Sequence, residues 1–499
     1  MNRFSFRRQC TRYFCILFAS FFLSFAPVKA QVIGVRTVPL LASEQFGLMP
    51  SVRASMGEVS IAFDDEGQDP FINPAKLRRM QNGLMFFSPA WKHWGKEQQQ
   101  IFSDNYGART TNEHWNTNTV SLPLGQLNHG PRYSGGFFFA FQILNERNQA
   151  AQSGDPSSPA LRENDFTALN VPVVVLWAMD IPHTSFALGA SVDVAYLGGA
   201  EAVSLLYPNF EKLEQEGLIY NFRLGVTGKL SEKDEISILA MQHNYRAHHE
   251  ANRIIANKDQ NHGWLGRVEY RRWLMRNLRA GVQLTGNWKT HPKIPDYPLS
   301  GVPRDPGTTH AYNLGVGLAW QPRFIHLALD AIYEPVTSKT WVEAEEPTLA
   351  YGGRTIARGE VTLRHNYDFS NRIFRLGVEK ELWPWMTLRA GMQTKFFEFD
   401  YHHKNEITGF EQNVNSHSKW RETLWTAGAS LRRGKTEWLY TLQVITGNGL
   451  LRRNFRDRYY DCSVCLGSSD FFIPPINNGY FSIDRVPIFR QQVSWLWHL

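Results

Sequence analysis

Apolar and polar positions alternate along most of this chain, as they do in a strand whose two faces meet different surroundings. Leu278, Ala280, Val282, Leu284 and Trp288 alternate with Arg279, Gly281, Gln283, Thr285 and Asn287. The same rhythm runs from Leu218 to Val226, from Tyr312 to Trp320, from Met386 to Met392 and from Trp438 to Val444. It predicts strands near 136–144, 169–180, 184–196, 218–228, 235–247, 264–272, 278–288, 310–320, 324–335, 372–380, 386–398, 420–431, 436–446 and 490–499, which makes 14. Segments 83–91 and 118–124 would add one hairpin, for 16. A strand of about 9–11 residues crosses a bilayer at a tilt. Trp264, Trp288, Trp320 and Trp438 fall at strand ends, where an interfacial aromatic belt would lie. A soluble sandwich also alternates, but strand length and aromatic placement favour a membrane.

The connections alternate in length. Short turns follow Gly228, Trp320, Lys380 and Leu431, while long polar segments occupy 145–166, 197–217, 248–263, 289–309, 336–370, 399–419 and 447–489. Outer-membrane barrels have short periplasmic turns and longer outside loops, so the lengths assign sides. The last strand then runs inward. Val493, Trp495, Trp497 and Leu499 share one face, and Gln492, Ser494 and His498 share the other with Leu496 among them. This ending resembles the C-terminal assembly signal of bacterial barrels, with Leu in place of Phe. The predicted class is all-β: a transmembrane antiparallel barrel over 81–499, of 14 strands or alternatively 16.

The N-terminus reads as an export signal over 1–30. Arg3, Arg7, Arg8 and Arg12 precede an apolar run at 13–25, and Val28-Lys29-Ala30 offers a small-x-small cleavage site. The run is short of the ~20 residues a spanning helix needs. Composition fits a barrel better than a helical membrane protein: mean hydropathy is −0.36, yet 13% of residues are aromatic. The whole chain carries +7, and the leader holds four Arg, one Lys and no acid, so its removal leaves +2. The basic balance is therefore no argument for nucleic acid. Cys10 and Cys15 leave with the leader. Cys462 and Cys465 remain, spaced C-x-x-C, and an oxidising compartment predicts a disulfide between them.

Residues 31–80 break the barrel rhythm and are the natural plug for a wide lumen. Three pieces of this segment stand out: Arg53-Ala54-Ser55-Met56-Gly57-Glu58-Val59, Ile61-Ala62-Phe63-Asp64-Asp65 and Asn73-Pro74-Ala75-Lys76-Leu77. Together they resemble the opening of the FadL-like outer-membrane proteins, a superfamily that includes fatty-acid and hydrocarbon transporters and the PorV/PorQ-type barrels of type IX secretion. The Arg53–Glu58 piece is closer to the PorV side; the Asn-Pro-Ala piece is shared widely. The resemblance implies a 14-stranded barrel with an N-terminal hatch, and places Arg53, Gly57, Asn73, Pro74 and Ala75 in or beside that hatch. The long outside loops and the Cys462/Cys465 pair depart from the pattern. Independently of any family, Asn73-Pro74 reads as the start of a turn, and an ordinary turn with no part in transport is an equal reading.

Other candidates carry less. Asp64, Asp65, Glu66 and Asp69 lack the spacing of a calcium loop and read as a solvated or pore-facing acidic patch. His243, His248, His249, His402 and His403 lack metal-site spacing and read as rim residues. No nucleophile elbow stands out, so no enzyme, metal site or cofactor is predicted. The apolar run Phe471–Pro475 in the last long segment is either a binding surface or a cover for the barrel mouth.

These observations predict a barrel in the outer membrane, in contact with its lipid. The resemblance implies that it carries hydrophobic molecules such as long-chain fatty acids or hydrocarbons. The alternative is a PorV-like scaffold binding secretion-system proteins at its rim.

Overall fold

A computed structural model describes residues 32–33, 48–104, 107–150, 164–201, 213–251, 254–291, 307–450, 483–484 and 488–499. The described chain is a closed antiparallel barrel of 16 strands. β1 comes in two pieces, Leu84–Phe87 and Ala90–Asp104. It is followed by β2 (Gly107–His129), β3 (Tyr133–Ala150), β4 (Asn164–Asp180), β5 (Phe186–Glu201) and β6 (Leu213–Lys229). Next come β7 (Asp234–Ala251), β8 (Ile254–Met275), β9 (Leu278–His291), β10 (Gly307–Trp320) and β11 (Ile325–Glu343). The wall ends with β12 (Val361–Trp383), β13 (Met386–Asn405), β14 (Phe410–Arg433), β15 (Thr436–Leu450) and β16 (Ile488–His498). The count is 16 and not 14 because the optional hairpin forms: 83–91 and 118–124 lie in β1 and β2.

Closure falls where the ending suggested. β16 pairs with β15 (Trp438↔Trp495) and with β1 (Leu84↔His498, Ala90↔Gln492). Val493, Trp495, Trp497 and Leu499 are exposed on the outer face, while Gln492, Ser494 and Leu496 are buried inside. The other alternating segments sort likewise: Val282, Leu284 and Trp288 face out, and Arg279, Gln283, Thr285 and Asn287 are buried inside. No helix among the described residues is long and apolar enough to cross a membrane.

Two aromatic girdles bound the outer apolar band. Trp177, Trp320, Trp383 and Trp438 ring the short-turn end, and Trp264 pairs with Trp288 toward the other end. From Leu278 to Trp288 the strand rises about 26 Å at a tilt of roughly 40°, the height of such a band. The strands do not stop there. β7 and β8 pair out to Ala251↔Ile254, and β13 and β14 pair out to Asn405↔Phe410. Polar stretches 248–263 and 399–419, expected as loops, are therefore mostly ladder. Backbone pairing extends the wall wherever both partners continue, and the polar side chains record only that this part meets water.

Residues 48–80 lie inside the barrel. They form a 3-10 turn at Arg53–Ser55, a short helix at Asp69–Ile72 and a 3-10 helix at Pro74–Arg79, all packed on inward-facing wall residues.

Candidate functional site: the lumen and its inner segment

The inner segment is tied to itself through Arg53. The buried guanidinium pairs with Asp69 at 2.6 Å and donates to the Phe63 carbonyl, and the Arg53 amide donates to Asp65 at 3.1 Å. Ser51 also donates to Asp65, at 2.7 Å. One side chain thus joins three stretches of a segment too irregular to satisfy itself by helix or sheet. Asn73 works on two levels. Its Oδ1 accepts from the Ala75 amide at 3.1 Å and caps the helix that Pro74 opens. Its Nδ2 donates to Ser237 Oγ at 2.8 Å and to the Ile238 carbonyl at 3.1 Å, both on β7.

Gly57 turns the chain with φ +64°, and a Cβ there would lie 2.6 Å from the Leu376 carbonyl oxygen and from the Met392 amide nitrogen. Both conformation and space require glycine. The wall has matching glycines. A Cβ on Gly377 would lie 2.6 Å from the Met56 carbonyl oxygen, and one on Gly281 would lie 2.7 Å from that of Ile61. Gly189 leaves the same room for Pro74 and Ala75. Arg53, Gly57, Asn73, Pro74 and Ala75 therefore all lie in the inner segment, Arg53 as its internal tie and the others against the wall.

The lumen has two unlike sides. Toward β5–β14 it carries most of its ion pairs, set among small apolar clusters around Phe63, Ile61 and Ile72. Asp64 accepts from Arg279 at 2.6 Å and also from Arg271. Lys76 pairs with Glu269 at 2.6 Å, and Asp330 accepts from the Ser60 amide at 2.7 Å. Arg223 pairs with Asp193 at 2.7 Å and donates to the Phe71 carbonyl. Burial works to raise the Asp64 carboxyl, but Arg271 and Arg279 outweigh it and hold it well below the usual carboxylate range. Burial dominates at Asp65, which is pushed up, and at Lys76, which is pushed down despite Glu269.

Toward β1–β4, β15 and β16 the lumen holds its largest apolar cluster, beside buried polar residues such as Thr119, Gln142 and Gln492. Leu48, Met49, Phe71, Leu77 and Met80 pack on Phe86, Leu127, Phe138, Val174, Leu439 and Leu496. Phe71 meets Phe86 and Phe138 edge-on, with ring centroids 6.1 and 5.9 Å apart. Above this cluster, Ala90, Thr119, Ser121 and Gln142 line a cavity with Leu48, Lys92 and Arg490. It measures about 20 Å³, room for roughly one water.

The wall beside this apolar side contains a row of prolines. Proline cannot donate to a ladder and is ordinarily confined to edges and bulges. Here Pro89 accepts from the Val493 amide at 3.0 Å and has no hydrogen to return. Pro123 accepts from Ser88 in the same way. The β3–β4 ladder skips from Phe139↔Val173 to Gln142↔Asn170, over Ala140 and Pro172. Pro123 pairs with Ala140, and Pro172 with Ala195. The missing donors thus fall along one cross-strand row, in three of the four seams from β16 to β4.

Some expectations are corrected. The acidic residues at 64–69 divide: Asp64 and Glu66 are exposed, Asp64 between two arginines, whereas Asp65 and Asp69 are buried and form no part of an open patch. His243 is buried and not at the rim, with its Nδ1 2.7 Å from Asn221 Oδ1. Cys462, Cys465 and Phe471–Pro475 lie outside the described residues, as do the side chains of His248, His249 and His403. The ionic side had one trace in the sequence: Arg267, Glu269 and Arg271 alternate on one strand face. It went unread because a charged inward face has no meaning until its partners at 53–76 are placed.

No protein-family model and no curated protein matches the chain. Solved structures similar to it include the Pseudomonas putida toluene transporter TodX, at 10% identity and a TM-score of 0.43 over 90% of this chain and 97% of that one. The Ralstonia pickettii toluene transporter TbuX is 13% identical, with a TM-score of 0.38 over 90% of this chain and 98% of that one. A Pseudomonas aeruginosa FadL homologue is 10% identical, with a TM-score of 0.41 over 90% and 98%. Each likeness is one of barrel architecture, and what the lumen does is read from this chain's own residues.

Proposed function

We propose that the chain resides in the outer membrane and carries hydrophobic molecules, such as long-chain fatty acids or hydrocarbons, across it, with residues 48–80 as a plug. The observation that carries this reading is the two-sided lumen. An apolar strip runs beside a closed barrel's wall, where a water-filled pore would have polar side chains. The opposite side is dense with ion pairs that anchor the plug. A cargo molecule would follow the apolar strip past Phe71, Phe86 and Phe138 toward the proline row, where three neighbouring seams each lack a ladder donor. The cavity there holds about one water, so passage requires the plug's apolar edge to shift.

The test is deletion of the gene, with uptake of labelled long-chain fatty acids and alkanes measured beside the secreted proteome. Loss of uptake with an unchanged secretome supports transport. Unchanged uptake with lost secretion would replace this reading by a scaffold for secretion-system proteins.

A further inference from the structure

The rim at the short-turn end is strongly cationic. Arg132 stands on the β2–β3 turn, Lys229 and Lys233 flank the β6–β7 turn, and Arg272 and Arg276 flank the β8–β9 turn. Arg323 lies on the β10–β11 turn, and Arg432, Arg433 and Lys435 crowd the β14–β15 turn. All are exposed, and among the described residues of these turns Glu232 is the only exposed acid. The nearby acids Asp180, Asp234 and Glu437 are already engaged by Arg78, Tyr270 and His498. Of the rim cations, only Arg272 has an acid within ion-pair distance among the described residues, Asp234 at 3.5 Å.

These cations sit directly beside exposed apolar and aromatic groups. Leu230, Leu274 and Met275 are more than half exposed at the same turns. Arg132 lies over the Tyr133 ring and Arg323 over the Phe324 ring, with the guanidinium carbon 5.8 and 5.2 Å from the centroid. A cation above an aromatic at the edge of an apolar band is placed at headgroup depth.

We propose that this rim binds anionic phospholipid headgroups of the membrane leaflet that faces the periplasm. The inference rests on the membrane reading above but is independent of cargo. Apolar turn residues and girdle tryptophans fix the depth; the cations then lie level with the phosphates, which supply the negative charge the rim's own acids do not. A periplasmic acidic protein would fit the charge but not the exposed Leu230, Leu274 and Met275, which point to lipid.

The test uses the full chain in nanodiscs of mixed phosphatidylcholine and phosphatidylglycerol, with retained lipids counted by native mass spectrometry. Phosphatidylglycerol should be enriched, and the enrichment should fall as salt rises. The exposed variant Arg432→Gln/Arg433→Gln/Lys435→Gln should lose about tenfold of the preference, since each surface cation contributes up to roughly fivefold. Arg432→Lys/Arg433→Lys should retain it. A change of less than about twofold in the triple variant, or enrichment indifferent to salt, overturns the proposal. Heat-modifiable migration reports insertion separately. A chain that does not insert defeats the membrane reading, whereas one that inserts without lipid preference defeats only this inference.

Discussion

The fit between inner segment and wall can be tested at Gly377. An added methyl would stand 2.6 Å from the Met56 carbonyl oxygen, 2.9 Å from Met56 Cβ and 3.0 Å from Val59 Cγ2. Relief needs a retreat of several tenths of an ångström by backbone, not by a side-chain tip. The retreat is resisted because the Gly57 amide donates to Thr426 at 2.8 Å, which ties the turn to the same row of the wall. Overpacking costs about 1–3 kcal/mol, and a backbone obstacle places Gly377→Ala in the upper half. About 2–3 kcal/mol lowers protection of the seated segment by roughly 30- to 150-fold. The assay is hydrogen exchange on detergent-solubilised protein, comparing peptides from 48–80 with peptides from the girdle region. Gly266→Ala is the control, since a Cβ there meets nothing within 4 Å. Equal protection of 48–80 in Gly377→Ala and wild type, with the barrel intact in both, would refute the close seating.

Three further outcomes are expected. Lys76→Met removes one charge-assisted hydrogen bond to Glu269, which keeps Arg267 and Arg271, and it should destabilise the inner segment by about 1.5–3 kcal/mol; exchange in 48–80 measures it. Asp64 has a depressed folded-state pKa, so its contribution is fully present above the ordinary carboxylate pKa and is lost as pH falls through the lower folded value. Protection of 48–80 in wild type should therefore decline below about pH 4, while Asp64→Asn shows lower protection at neutral pH and a flatter acid profile. Pro123→Ala with Pro172→Ala returns two ladder donors at about 1 kcal/mol each, so the temperature of heat-modified migration should rise and, on the proposed function, uptake should slow. Faster uptake in that variant would speak against passage beside the row.

Strands and closure were legible because their causes are local. A residue facing lipid differs from its neighbour facing the lumen whatever the rest of the chain does, so Val493, Trp495 and Trp497 announce an outer face unaided. Turn lengths mark the two ends of the barrel for the same reason. The extent of the strands was not legible: polar 248–263 looks like a loop, yet it pairs because two such stretches lie opposite one another.

The inner side of the barrel was the least legible. Arg271, Arg279 and Asp64 are more than two hundred positions apart along the chain in the two pairs they form, and nothing in local composition couples them. Gly377 reads as a weak strand residue until Met56 arrives against it. Pro89, Pro123 and Pro172 each read as an isolated interruption, and only strand register sets them in a row. The sequence by itself determined that this is an antiparallel barrel, with short turns at one end and its last residues as the closing strand, because alternation and turn length are properties of neighbouring residues. Only the tertiary structure decided that the lumen has an ionic side and an apolar side, because that division depends on which distant residues register and folding bring within a few ångströms.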